Sequence, residues 1–134
     1  KGRIVIDGSD ITLISIGAIL SESLKAASLL LGDGIKARVI SLNSIKPIDK
    51  DIILKAAKET AGIICIEEHV RIGGLTGAIS ETLTTESTYP GFFKSIALPD
   101  EYPTIVGDQD YLRKYYNISA ENIYNKAMSL LIKN

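Results

Sequence analysis

The only histidine of the chain lies in Glu67-Glu68-His69-Val70-Arg71-Ile72-Gly73-Gly74, directly after the apolar run Ile63 to Ile66. A carboxylate beside an imidazole can move a proton near neutral pH or contribute to a metal site. Yet one histidine and two adjacent carboxylates lack metal-ligand spacing on any regular element, and consecutive strand residues point opposite ways. A structural alternative has Glu68 or His69 exchanging hydrogen bonds with the backbone while Gly73 and Gly74 let a helix approach a sheet closely. Arg71 reads either as an anion contact or as a solvated loop cation.

A second candidate is Gly17-Ala18-Ile19-Leu20-Ser21, which follows another apolar run. A phosphate on the amides of a helix N-terminus is physically possible there. The segment has one glycine, so it carries no dinucleotide fingerprint, and the chain also lacks a P-loop. No serine sits in G-x-S-x-G. Cys65 is the only cysteine and lies within an apolar strand-like run, which predicts a buried, inert thiol. Tyr111 and Tyr115, at helical spacing and next to Tyr116, point to packing first and an interface second. No catalytic, cofactor-binding or metal-binding residue is therefore assigned to this chain. Gly17, Glu68, His69, Arg71, Gly73 and Gly74 remain as crevice or interface candidates.

The elements that would position these residues follow from periodicity. Arg3–Ile6 and Ile11–Ile16 are β-branched runs around Asp7-Gly8-Ser9-Asp10, a turn-forming cluster, and read locally as a hairpin. Leu20, Leu24, Ala27 and Leu31 fall on one helical face, closed by Gly32-Asp33-Gly34. Val39–Leu42 is the next strand, and Lys46-Pro47 marks a loop. Asp49 caps a helix with Ile52, Ile53, Ala56 and Ala57 inward. Ile63–Ile66 is wholly apolar, as expected of a strand covered on both faces. Leu75, Ala78, Ile79, Thr82 and Leu83 form another helical face, and Phe93–Leu98 a last strand. A short helix is expected from Asp110 to Tyr116. Ser119 caps a final helix with Ile123, Ala127, Leu130 and Leu131 inward. Strands alternating with helices imply a parallel core sheet between two helical layers, with ligands placed beyond the carboxyl ends of the strands.

Composition narrows the function classes. The 134 residues are 46% hydrophobic and 23% charged with a net charge of −1, as expected of a single soluble domain. Interspersed charges argue against a nucleic-acid groove or an anionic membrane partner. No apolar run reaches the ~20 residues that span a bilayer, and no signal-peptide pattern opens the chain. The cytoplasm is the expected compartment. The start at Lys1 is expected of a fragment, a trimmed chain or a missing start.

Three blocks together resemble the transketolase C-terminal domain. They are Gly8-Ser9-Asp10-Ile11-Thr12-Leu13-Ile14-Ser15-Ile16-Gly17 with Glu22, Ala26 and Ala27 following; Gly34 to Leu42 with Ile45-Lys46-Pro47-Ile48-Asp49; and Glu67-Glu68-His69, then Gly73-Gly74-Leu75 with Glu81. The resemblance covers nearly the whole chain, 1–134, most loosely after Tyr89. Its third block looks most like split transketolases, but Thr76 replaces the glycine usual in a Gly-Gly-Leu-Gly run. It implies a three-layer α/β/α domain with a five-stranded mixed, mostly parallel sheet. The first strand then runs antiparallel beside Val39–Leu42, in conflict with the hairpin reading, and Gly17 meets Glu68-His69 at the switch point. It further implies that thiamine diphosphate and a divalent metal bind on pyrophosphate- and pyrimidine-binding domains absent here. The parent would be a dimer transferring two-carbon ketol units between sugar phosphates. Other parents compatible with the same blocks are deoxyxylulose-5-phosphate synthase and the 2-oxoacid dehydrogenase beta subunit. A stand-alone small-anion binding module is the alternative from another class.

Overall fold

Isoleucine, valine and threonine dominate the extended runs, where branched side chains pack well on a pleated surface. The computed structural model describes residues 1–67, 74–97 and 119–133. Its elements are β1 (Arg3–Ile6), β2 (Ile11–Ile16), a single 3-10 turn (Gly17–Ile19), α1 (Leu20–Gly32), β3 (Ala37–Leu42), α2 (Lys50–Glu59), β4 (Ile63–Glu67), α3 (Leu75–Thr85), β5 (Phe93–Ala97) and α4 (Ala120–Lys133). The short helix expected from Asp110 to Tyr116, with its tyrosines, lies outside the described residues.

The strands form one sheet in the order β1-β3-β2-β4-β5. β1 is antiparallel to β3, and the β2–β3, β2–β4 and β4–β5 pairs are parallel. This is the mixed, mostly parallel sheet implied by the family resemblance, and it overturns the hairpin expected from local sequence. The physical reason lies in the connection between β1 and β2. Asp10 exchanges bonds with Lys36 just before β3, its N–H donating to the Lys36 carbonyl at 3.0 Å and its Oδ2 accepting from the Lys36 N–H at 2.7 Å. The connection therefore crosses the start of β3 instead of folding back. Gly8 is required by that crossing, since a Cβ there would lie 2.5 Å from the Lys36 oxygen and the Ala37 carbonyl carbon.

Alternating residues of the sheet feed two cores. Ile11, Leu13, Val39, Ile64 and Ile66 pack with Ala26, Ala27 and Leu30 of α1 and with Ile123 and Ala127 of α4. Ile14, Ile40, Ile63 and Cys65 pack with Ile53 and Ala56 of α2 and with Leu75, Ile79 and Leu83 of α3. Each fully buried Leu or Ile contributes roughly 1.5–3 kcal/mol of transfer free energy. The two helical layers on either side of the sheet complete the α/β/α arrangement.

The face expected for α1 holds except at its end. Ala27 is buried and Leu20 and Leu24 pack against the core, but Leu31 is 61% exposed, and Glu22, Ser23, Ala26 and Leu30 complete the buried face. Two of these are polar, so apolar spacing alone does not find them. Their polarity is satisfied internally: Ser23 Oγ meets Ser15 Oγ of β2 at 2.5 Å, and Glu22 accepts from the Ala120 N–H. The Tyr124 hydroxyl donates to Asp33, a second tie between α4 and the end of α1. The cap expected at Asp49 holds, its Oδ1 accepting from the Ile52 N–H at 3.4 Å. Ser119 immediately precedes α4, but its hydroxyl donates to the Asn122 side-chain Oδ1 at 2.5 Å, and the Ala120 N–H goes to Glu22. Among the described residues, no helix is long and apolar enough to cross a membrane.

Candidate functional site

The strand order reverses between β2 and β4: the chain leaves β2 for β3 on one side and returns to β4 on the other. Such a switch point opens a crevice at the carboxyl ends of the two strands. Pairing of Ser15 with Ile66 sets the Gly17–Ile19 turn level with the end of β4, and the turn packs against that strand. Gly17 has φ of +82°, a left-handed conformation that glycine accepts without penalty, and its missing Cβ would point into open space. Gly74 is the N-cap of α3 in extended conformation, and no side chain of its own caps the helix. Glu68, His69, Arg71 and Gly73 lie outside the described residues.

The residue that organises the described part of the crevice is Glu67, the last of β4. It is 6% exposed, and its carboxylate spans the first amides of α3. Oε1 accepts from the Leu75 N–H at 3.2 Å, and Oε2 accepts from the Thr76 N–H at 3.0 Å and the Thr76 hydroxyl at 3.1 Å. The first amides of a helix lack intrahelical partners, and negative charge is favoured at that end. Sequence reading attached the backbone-bonding role to Glu68 or His69. Glu67 escaped it because the cap comes from a different element, eight positions before Leu75, and not from the local capping-box spacing.

Thr76 fills the place where a glycine was expected and ties three elements together. Its Oγ1 lies 2.7 Å from Ser95 Oγ of β5 and 3.2 Å from Cys65 Sγ of β4. A carboxylate only accepts, so the Thr76 hydroxyl donates to Glu67 and its lone pairs are left for the Ser95 hydroxyl and the Cys65 thiol. Burial pushes the Cys65 thiol up to about 11, against smaller opposing effects of the Thr76 and Ser95 hydroxyls. The thiol is thus a neutral, fully buried core group, as its sequence context predicted.

This arrangement limits the chemistry of the described crevice. A phosphate approaching the N-terminus of α3 would compete with Glu67 for the Leu75 and Thr76 amides. Among the described residues, no group of three or more His, Cys, Asp and Glu side chains could hold a metal ion. The described residues therefore do not fit thiamine diphosphate and its divalent metal. A cavity of about 360 Å³ lies between Ile45, Lys46, Ile48 and Lys50 on one side and Gly77, Ala78 and Glu81 of α3 on the other; neither Gly17 nor Gly74 lines it.

Comparison with known proteins places this geometry. Residues 1–123 match the family model described as transketolase, C-terminal domain. The chain belongs to that family. It is 37% identical over 133 residues to an apulose-4-phosphate transketolase subunit of Phocaeicola vulgatus, covering 99% of this chain and 41% of that protein. It is 38% identical over 130 residues to a 1-deoxy-D-xylulose-5-phosphate synthase of Heliobacterium modesticaldum, covering 97% of this chain and 20% of that one. A solved split gene transketolase, described as an inactive beta4 tetramer, superimposes with a TM-score of 0.83 at 29% identity, over 98% of this chain and 41% of that chain. The chain thus spans between a fifth and about two-fifths of the relatives it matches.

Proposed function

We propose that residues 1–134 form one C-terminal assembly domain of a transketolase-like enzyme and catalyse nothing alone. The observation that carries this reading is the asymmetry of coverage. The relatives match nearly all of this chain, yet the match occupies only 20% of the synthase and 41% of the transketolase subunit. The remaining parts of the enzyme, a pyrophosphate-binding and a pyrimidine-binding domain or subunit, would hold thiamine diphosphate and its divalent metal. The complete enzyme is a cytoplasmic homodimer that transfers a two-carbon ketol unit from a ketose phosphate to an aldose phosphate. In it, the crevice beside Gly17 and Gly74, with Glu68, His69, Arg71 and Gly73, serves as structure or interface.

The deoxyxylulose-phosphate synthase reading stands beside this one because a synthase is among the matched relatives at 38% identity. Assembly of the chain with the missing domains, followed by paired assays, separates the two. Ketol transfer between sugar phosphates without pyruvate consumption supports the transketolase. Condensation of pyruvate with an aldose phosphate and loss of carbon dioxide supports the synthase and removes the transketolase.

A further inference from the structure

The cavity of about 360 Å³ between residues 45–50 and α3 is walled by charges of opposite sign. Lys46 and Lys50 stand on one side and Glu81 on the other, all three exposed. Among the described residues none of the three takes part in an ion pair; the pairs that form are Lys25–Glu22, Arg38–Asp7 and Arg38–Glu59. Asp49, between the two lysines in sequence, turns its carboxylate to the Gly2 and Ile52 amides instead. Gly77 and Ala78 also line the cavity. A glycine inside a helix weakens it relative to alanine. Gly77 has no positive φ, and a Cβ on it would meet nothing within 4 Å, so no contact inside the chain calls for glycine there. Its effect is to leave the α3 backbone open to close approach from outside.

We propose that this face of α3 is a contact between two copies of the chain related by a two-fold axis. In such an interface one patch meets itself, so it must be complementary to its own copy. A patch with cations on one wall and a carboxylate on the other satisfies that condition after half a turn. Glu81 of each copy then meets Lys46 and Lys50 of the other, and the two α3 helices approach at Gly77. Small anions suit the lysines but are repelled by Glu81, whereas a second copy matches both signs. The inference rests on the homodimer reading above and deepens it by naming a surface.

Sedimentation equilibrium of the chain, of E81K and of K46E/K50E tests it. The wild type is expected to dimerise at about 100 µM and to loosen as salt is added. Each variant alone sets like charges opposite one another and should raise the dissociation constant at least about tenfold. An equimolar mixture of the two variants restores opposite charges at both contacts and should recover mixed dimers. G77L blocks close approach without changing charge and should also separate the copies; leucine favours the helix, so that loss is not a loss of fold. If a charge variant fails to fold by circular dichroism, G77L decides the matter. Folded variants that dimerise as well as the wild type, or a mixture that stays monomeric, would overturn the inference. A wild-type monomer would overturn it too: amide shifts at residues 46–50 and Gly77 on adding inorganic phosphate would then assign the cavity to an anion, and shifts on adding the missing domains would assign it to them. The homodimer reading fails separately, if the enzyme assembled with its missing domains sediments with a single copy of this chain.

Discussion

The Glu22 carboxylate accepts a hydrogen bond from the Ala120 N–H at 3.0 Å, so the first turn of α1 holds the start of a helix 98 residues further along the chain. Glu22 is 6% exposed. With Glu67 at the start of α3, two helices in this fold have their N-termini held by a buried carboxylate from another element. Both contacts make the helix N-termini depend on tertiary packing, because the carboxylate comes from an element remote in structure or sequence.

Replacing Glu22 by alanine leaves the Ala120 N–H buried without this partner, which costs about 1–3 kcal/mol. Urea denaturation followed by circular dichroism should show that loss. Lys25 also contacts Glu22, at 3.3 Å, but its side chain is 66% exposed. K25A should therefore change stability by about 0.5 kcal/mol or less, in line with exposed ion pairs. Equal effects of the two variants would refute the assigned roles.

Cys65 gives a pH dependence with a defined sign. Its thiol is raised from 9.0 to about 11 by burial, so the folded state holds the proton more tightly than the unfolded chain. The associated stability is complete below about pH 9 and is lost as pH rises toward 11, by about 3 kcal/mol at most. The difference in unfolding free energy between the wild type and C65A isolates this effect from lysine and tyrosine titration. That difference should shrink across pH 9–11. Iodoacetamide at pH 8 should leave the native thiol unmodified while labelling it in urea.

Arg38 is 5% exposed and bonded to Asp7 Oδ1 at 2.9 Å and Glu59 Oε1 at 2.7 Å, while its Nη1 has no hydrogen-bond partner among the described residues. The two carboxylates are far more exposed, at 72% and 43% of their side chains. Removing both by D7A/E59A leaves the buried guanidinium without these partners and should lower stability measurably. R38M frees two carboxylates that already meet water, and should cost markedly less. The Gly8 N–H first, and then Arg38, hold the Asp7 carboxyl below its ordinary value. Its contribution is present above about pH 4 and is lost as pH falls. Thermal melts of the variants at pH 7 and pH 3 test both statements.

Gly8 and Gly17 separate two reasons for glycine. G8A drives a Cβ to within 2.5 Å of backbone atoms at Lys36 and Ala37, which must shift to receive it. G17A meets no atom within 4 Å and is opposed only by its φ of +82°, a penalty of about 1–2 kcal/mol. G8A should accordingly lower the melting temperature further than G17A and disturb amide resonances in β3. A larger effect at Gly17 would contradict the crossing described for Asp7–Asp10.

The layers, the strands and most helix faces were legible because apolar spacing reports burial directly. Asp49 was legible because it stands immediately before the helix it caps, whereas the hydroxyl of Ser119, placed in the same way, goes to the Asn122 side chain. The hairpin reading failed because Asp7-Gly8-Ser9-Asp10 has turn chemistry, while pairing partners in a sheet depend on contacts remote in sequence. The family resemblance supplied the β1–β3 pairing that local residues could not. Glu22 stood in a resembled block, but its partner at Ala120 left no short-range signal. Glu67 was overlooked in favour of its neighbours for the same reason. Of the expected crevice, Gly17 and Gly74 are placed by the structure, and the other candidate residues lie outside the described segments.

The central claim, that this domain relies on other domains for the cofactor, is tested most directly by isothermal titration of thiamine diphosphate and magnesium into the purified chain. The account predicts no binding heat up to millimolar cofactor, and binding once the pyrophosphate- and pyrimidine-binding domains are supplied. Micromolar binding to the chain alone would contradict it.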